Sequence, residues 1–201
     1  MAPSQTILLP EAELHYYEAL FSKEESDRLF DSLLKHIDWQ QGEGTFFGKK
    51  ALIPRLQAWY GETGESKIYK YSGMTLIPLD WTPDLLFIKS RIDELAGVHF
   101  TNVLVNLYRD GRDGVGWHSD DESILGKNPI IGSVSFGATR VFQLRHKTRG
   151  IKFELELKHG SFLLMQGPTQ HYWQHRIPKK AGITRPRINL TFRVLHEVEG
   201  G

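Results

Sequence analysis

The 201-residue chain reads as mainly β with flanking helices: a double-stranded β-helix (jelly-roll) core behind two N-terminal helices. Three observations lead there. From Phe100 onward the chain breaks into short segments rich in β-branched and aromatic residues, separated by Gly or turn residues, as in a sandwich or barrel rather than a doubly wound sheet. Helical spacing of apolar residues, by contrast, is confined to two stretches before residue 98. Finally, His118 and Asp120 lie two apart while His175 is far downstream, so the three can share one ion only if distant strands are brought side by side.

Taken in order, residues 1–10 read as an extended lead-in. Ser22 and Glu25 form a capping box, and Leu29, Phe30, Leu33, Leu34 and Ile37 carry a helix to about Asp38. Thr82 caps a second helix with Pro83 in its first turn. Leu85, Leu86, Ile88, Lys89, Ile92 and Leu95 continue it until Gly97 ends it. Strands are expected at 100–108, 130–136, 139–146, 151–157, 161–165 and 187–195. Neither an internal repeat nor a linker divides the chain, which reads as one domain over 1–201 with its jelly-roll core over about 99–196.

The chain has no cysteine, which excludes disulfides, Cys-based zinc sites and Cys nucleophiles. No apolar run approaches the roughly 20 residues of a membrane span, and the N-terminus lacks a basic-then-apolar signal pattern. The expectation is a soluble, monomeric protein of the cytoplasm, or of the nucleus in a eukaryote. A net charge of +1 hides an asymmetry. In the first 40 residues Glu11, Glu13, Glu18, Glu24, Glu25, Asp27, Asp31 and Asp38 outnumber Lys23, Arg28 and Lys35, so the remainder is net basic. Two solvated surfaces of opposite sign would give the same balance, whereas a basic face would suit a polyanion.

Two histidines and a carboxylate form a facial triad, leaving open positions that suit non-haem Fe(II) with a co-substrate and O₂. In an extended segment His118 and Asp120 project from one face. His171 and His175 are four apart, and spacing alone leaves either as the third ligand, with the other a supporting donor or a substrate contact. Arg187, Asn189, Thr191 and Arg193 share one strand face, while Ile188, Leu190 and Phe192 share the other. Asn106 and Tyr108 share a face with Asn102 and Leu104. Planar arginine forks are what a diacid would need, although a solvated amphipathic strand would look similar.

The ordered set Asn106-Leu107-Tyr108, Trp117-His118-Ser119-Asp120-Asp121-Glu122, Ser133-Val134-Ser135-Phe136-Gly137, His175 and Arg187 to Arg193 resembles the AlkB family over roughly residues 40–195. The terminal R-x-N-x-T-F-R is its most discriminating part. The family comprises Fe(II)- and 2-oxoglutarate-dependent nucleic-acid dealkylases. The resemblance implies iron at His118, Asp120 and His175. It further implies 2-oxoglutarate held by Arg187 at its distal carboxylate and by Arg193 near iron, with Asn106, Tyr108 and Asn189 adding neutral hydrogen bonds. N-Alkyl groups would be hydroxylated and lost as aldehyde, with succinate and CO₂ as co-products.

A duplex base must be flipped, or already single-stranded, to reach such a site. The resemblance makes about 1–98 the N-terminal helices and a nucleotide-recognition segment, with Tyr71 stacking on the flipped base opposite His118 and Tyr69 two residues away. Hydrophobic packing is the alternative for both tyrosines. Glu122 would accept from an exocyclic amine. Phe46 and Phe47, amid glycines and lysines, resemble the apolar finger of the duplex-DNA branch, though adjacent aromatics also occur in plain strands. Arg55 is a candidate partner for the nucleic-acid backbone, and Arg140, Arg145, His146, Lys147, Arg149 and Lys152 are phosphate-contact candidates. The expected partner is DNA, duplex and single-stranded, with RNA as an alternative. Two other readings remain: an oxygenase acting on a protein or small molecule, and a metal-binding jelly roll without catalysis.

Overall fold

A computed structural model of the chain describes residues 1–46, 49–62, 69–71, 74–76 and 78–196, with the backbone alone at 45, 46, 49, 69–71 and 74–76. The N-terminal part contains β1 (Gln5–Leu9), β2 (Ala12–Tyr17), α1 (Lys23–His36), β3 (Glu43–Phe46), β4 (Lys49–Leu52), β5 (Leu56–Gly61), β6 (Tyr69–Tyr71), β7 (Met74–Leu76) and α2 (Pro83–Ala96). After it come β8 (Asn102–Tyr108), β9 (Val115–His118), β10 (Ile131–Gly137), β11 (Arg140–His146), β12 (Lys152–Leu157) and β13 (Ser161–Gln166). A single helical turn, α3 (Thr169–Tyr172), leads into β14 (Trp173–Ile177), and β15 (Arg187–Arg193) closes the core.

The helices form where local chemistry places them. Ser22 Oγ accepts from Glu25 N and Glu25 Oε2 from Ser22 N, so the capping box satisfies two otherwise orphaned donors of α1. Thr82 caps α2, and Gly97, in the left-handed region at φ 67°, ends it. Both helices lay their apolar stripes on one side of a seven-stranded sheet ordered β1-β2-β13-β10-β15-β8-β5. Leu29, Leu33, Leu85, Ile88 and Ile92 meet Val134, Phe136, Ile188, Leu190 and Phe192 there. Burying each such side chain contributes roughly 1.5–3 kcal/mol. The opposite side of that sheet faces a four-stranded sheet ordered β12-β11-β14-β9, and Tyr108, Ile131, Leu163 and Met165 join Phe142, Leu144, Trp173 and Ile177 in the second core. This is the jelly roll the strand pattern implied, with the helices outside it.

Four strands in these two sheets were not read from the sequence. The lead-in is instead an edge hairpin, β1 and β2, turned at Pro10-Glu11 with Glu11 at φ 52°. It extends the large sheet through β2 and β13. Besides β2, the unread strands are β5, β9 and β14, each four to six residues long. Gly116 interrupts the pattern of β9, and the α3 turn hides the start of β14.

Candidate active site

Antiparallel pairing of β9 with β14 makes His118 and His175 direct cross-strand partners, with ring centroids 4.3 Å apart. Asp120 follows two residues after the end of β9, its Oδ2 3.8 Å from His175 Nε2. One ligand atom from each of the three lies within 4.8 Å of the others, close enough to hold one metal ion. Fixed polar partners set their orientation. His118 Nδ1 lies 2.8 Å from the Gly116 carbonyl, which can only accept, so Nδ1 carries the proton and Nε2 keeps its lone pair. The Asp120 N–H donates to Gln170 Oε1 at 3.0 Å, and Arg193 Nη2 donates to Asp120 Oδ1 at 2.8 Å.

Electrostatics keep Asp120 and His175 in ligating form. Burial alone would raise the Asp120 carboxyl, but the charge of Arg193, which also donates to it, overrides this and holds the group well below the usual carboxylate range. Burial pushes His175 down to about 3, with His118 adding to the effect, so its imidazole is neutral at physiological pH. The Phe142 ring, 5.1 Å away, packs against it.

The other end of the same cavity is built on β8 and β15. Their register pairs Arg187 with Tyr108, Asn189 with Asn106 and Arg193 with Asn102. Arg187, Asn189, Asn106 and Tyr108 line one cavity with His118, Asp120 and His175. Asn189 Nδ2 donates to Ser133 Oγ and the Val134 carbonyl. Arg187 is almost fully buried; burial lowers its guanidinium to about 10, which leaves it charged at neutral pH. Its Nη2 donates to Ser135 Oγ at 3.0 Å, while Nε and Nη1, both buried, have no hydrogen-bond partner among the described residues. Leaving such donors unmet costs at least about 1–3 kcal/mol. Two open donors on a buried, charged guanidinium suit the oxygens of an anionic ligand such as a carboxylate. The donor set thus fits a divalent metal at one end and an anionic carboxylate at the other.

Arg55 turns inward rather than toward a nucleic-acid backbone. It is buried, lines the same cavity and donates from Nε to Asn106 Oδ1 at 2.8 Å, because a buried guanidinium needs a fixed acceptor. Glu122 sits just beyond the triad with a buried Oε2 that has no partner among the described residues. Burial raises its carboxyl, and the charge of Asp120 adds to this. His171 stands apart from the triad: it is exposed, and its Nε2 accepts from Asn128 N, tying down the loop after the metal residues. Phe47 lies outside the described residues, as do the side chains of Phe46, Tyr69 and Tyr71, whose backbones belong to β3 and β6.

Not all of the basic run is available to phosphate. Arg140 and His146 are buried, His146 against Glu11, and Arg149 also pairs with Glu11. Lys147 pairs with Asp121, and Lys152 is exposed. Arg145 and Arg176 stack on Trp117, each with its guanidinium carbon 4.4 Å from the ring centroid, held in place by Gln174 and Gln143. Gln170 went unread, and Ser133 and Ser135 stand out in the sequence only as part of the resembling motif, without a role. Only their contacts give them a role, apart from the two-residue spacing of the serines, which puts both on one face of β10.

The 2OG-Fe(II) oxygenase superfamily model matches residues 13–193. The alpha-ketoglutarate-dependent dioxygenase alkB homolog 3 of Bos taurus is 44% identical over 182 residues, covering 86% of this chain and 62% of the relative. The DNA oxidative demethylase ALKBH2 of Homo sapiens is 42% identical over 188 residues, covering 88% of this chain and 71% of the relative. The chain thus spans less than two thirds of the length of the first of these. A solved structure of OsALKBH1 superposes with a TM-score of 0.67 at 15% identity, covering 93% of this chain and 99% of that one, a likeness of fold.

Proposed function

This chain belongs to the AlkB family of the 2OG-Fe(II) oxygenase superfamily, and we propose that it removes N-alkyl groups from nucleobases by oxidation. One observation carries the reading. The His118–Asp120–His175 triad, with Asp120 ionised and His175 neutral, and an arginine with two open N–H groups line one buried cavity. His118, Asp120 and His175 would hold Fe(II); Arg187 would take the distal carboxylate of 2-oxoglutarate. Bound together, these would supply the oxidising power to hydroxylate the N-alkyl carbon with O₂, with 2-oxoglutarate decarboxylated to succinate and CO₂. The N-hydroxyalkyl group then breaks its C–N bond to release an aldehyde and the restored base.

The chain's own side chains do the positioning. Arg193 and Gln170 hold Asp120 from two sides. Arg55 fixes the amide of Asn106, and Ser133 that of Asn189, so the neutral donors beside the co-substrate keep one orientation. The unpartnered Glu122 oxygen, just beyond Asp120 in sequence, would accept from a base's exocyclic amine. Tyr69 and Tyr71 would stack on the flipped base, and Phe46 and Phe47 would fill the gap it leaves. About 1–98 would then recognise the nucleotide and about 99–196 carry out the oxidation, within one monomeric domain. Among the described residues no helix is long and apolar enough to cross a membrane. We place the protein in the cytoplasm, or in the nucleus of a eukaryote.

DNA is the favoured substrate because one relative is named a DNA oxidative demethylase. The test is incubation with 1-methyladenine and 3-methylcytosine oligonucleotides, as single and duplex DNA and as RNA, with Fe(II) and 2-oxoglutarate. Mass spectrometry should find the unmethylated base and matching succinate; succinate without base repair would reject the reading. Replacing Phe46 and Phe47 together by Ala should slow duplex repair more than single-strand repair, since only a duplex leaves a gap to fill. Equal losses on both would remove the finger.

A further inference from the structure

The two connections that join the metal strands to the co-substrate strands are zipped together. Residues 109–114 link β8, which carries Asn106 and Tyr108, to β9, which carries His118. Residues 178–186 link β14, which carries His175, to β15, which begins at Arg187. Gly111 N donates to the Ile183 carbonyl and Lys180 N to the Gly111 carbonyl, both at 2.8 Å. At Gly111 the approach is so close that a Cβ would lie 1.9 Å from the Lys180 carbonyl oxygen. Two ion pairs, Arg109 with Asp113 and Arg112 with Asp110, shape the first connection.

Arg140 lies at this junction, 2% exposed. Its Nη2 donates to the Asp113 carbonyl at 2.9 Å and the Pro178 carbonyl at 2.7 Å, and its Nη1 to the Asp110 carbonyl at 3.3 Å. One guanidinium therefore holds both connections at once. Its carbon also sits 5.7 Å from the centroid of the Tyr108 ring, against which Arg187 packs at 5.2 Å. Arg140 does not itself line the cavity. Burying an arginine this deeply is costly unless its donors are met, and here carbonyls of two separate loops meet them.

We propose that Arg140 is a positioning residue for the co-substrate: it fixes the metal end and the carboxylate end of the cavity relative to each other and sets the Tyr108 ring beside Arg187. This rests on the 2-oxoglutarate reading of the cavity. It also removes Arg140 from the phosphate contacts, since its donors face inward and are occupied.

The test uses Mn(II)-loaded protein and calorimetric titration with 2-oxoglutarate, comparing wild type with Arg140→Lys and Arg140→Met well below their unfolding temperatures. Lys keeps the charge but cannot reach three carbonyls in a planar fork. Both variants should bind 2-oxoglutarate about tenfold or more weakly, the usual scale for a residue that orients a ligand's contacts. Mn(II) affinity should change less than about threefold. In turnover the KM for 2-oxoglutarate should rise while kcat at saturation is largely kept. Combining Arg140→Lys with Tyr108→Leu should give a loss smaller than the product of the two. A lowered unfolding temperature with unchanged 2-oxoglutarate affinity would reduce Arg140 to a fold-stabilising residue and overturn the proposal. Full rescue by Lys would overturn it too, by assigning the effect to charge alone. Failure of Arg140→Met to fold would leave Arg140→Lys to decide. Absence of 2-oxoglutarate binding in wild type would instead overturn the co-substrate reading, and Arg140's role with it.

Discussion

The two ends of the cavity differ in how their polar groups are satisfied. At the metal end nearly every hydrogen-bonding group has a protein partner: Asp120 has Arg193 and Gln170, and His118 has the Gly116 carbonyl. At the other end, Arg187 keeps two buried donors with none among the described residues. A small ion can be awaited by a preset cage of lone pairs, because its ligands must be oriented before it arrives. A carboxylate is awaited by donors, which stay open until it does. The contrast predicts different damage from substitutions at each end.

Removing Asp120 should have the largest effect. Asp120→Ala deletes a ligand and removes one partner of the buried Arg193 guanidinium, a change worth up to about 3–5 kcal/mol of stability where a buried charge pair is broken. Metal binding by calorimetry and turnover should both disappear, with a lower unfolding temperature. A variant that still binds Mn(II) as wild type does would take Asp120 out of the cage.

A smaller loss is expected at the open end. Arg187→Lys keeps a cation but gives up the fork, so the KM for 2-oxoglutarate should rise roughly 10–100-fold, the equivalent of about 1.5–3 kcal/mol for a charge-assisted contact. Metal affinity should stay near wild type. Parallel losses of metal and co-substrate would erase the contrast between the ends. Smaller still is Gln170→Leu, which leaves the Asp120 N–H without its acceptor. Metal affinity should fall about tenfold with 2-oxoglutarate affinity little changed once metal is saturating. The least effect should come from outside the cavity. Arg149→Ala breaks an exposed pair with Glu11 and should cost under about 1 kcal/mol by chemical denaturation, with unchanged turnover of a short single-stranded substrate.

What the sequence made legible follows the same division. The triad and the β15 face were readable because strand periodicity is two, so His118 with Asp120, and Arg187 with Asn189 and Arg193, declare a shared face. The capping box, the Thr82 cap and the Gly97 stop were equally local, and both helices formed where they indicated. Cross-strand register was not readable. That His175 faces His118, that Arg55 reaches Asn106 and that Gln170 holds Asp120 all depend on pairings between segments some 50 residues apart. Arg55 and Arg140 misled for one reason: an arginine's charge suggests a surface, and only the fold shows which carbonyls or amides let it be buried. His171 and His175 separate only once α3 ends and β14 begins, turning one outward and the other in.

The most direct measurement of the open end is a specificity cycle on Mn(II)-loaded protein. Calorimetric affinities for 2-oxoglutarate and for 2-oxovalerate, which has the same carbon chain without the distal carboxylate, are compared in wild type and Arg187→Met. Wild type should prefer 2-oxoglutarate by roughly 10–100-fold, the value of about one charge-assisted contact to a buried guanidinium. In Arg187→Met that preference should vanish while 2-oxovalerate binds much as before. A preference that survives intact in Arg187→Met would contradict the assignment of this cavity end to the distal carboxylate.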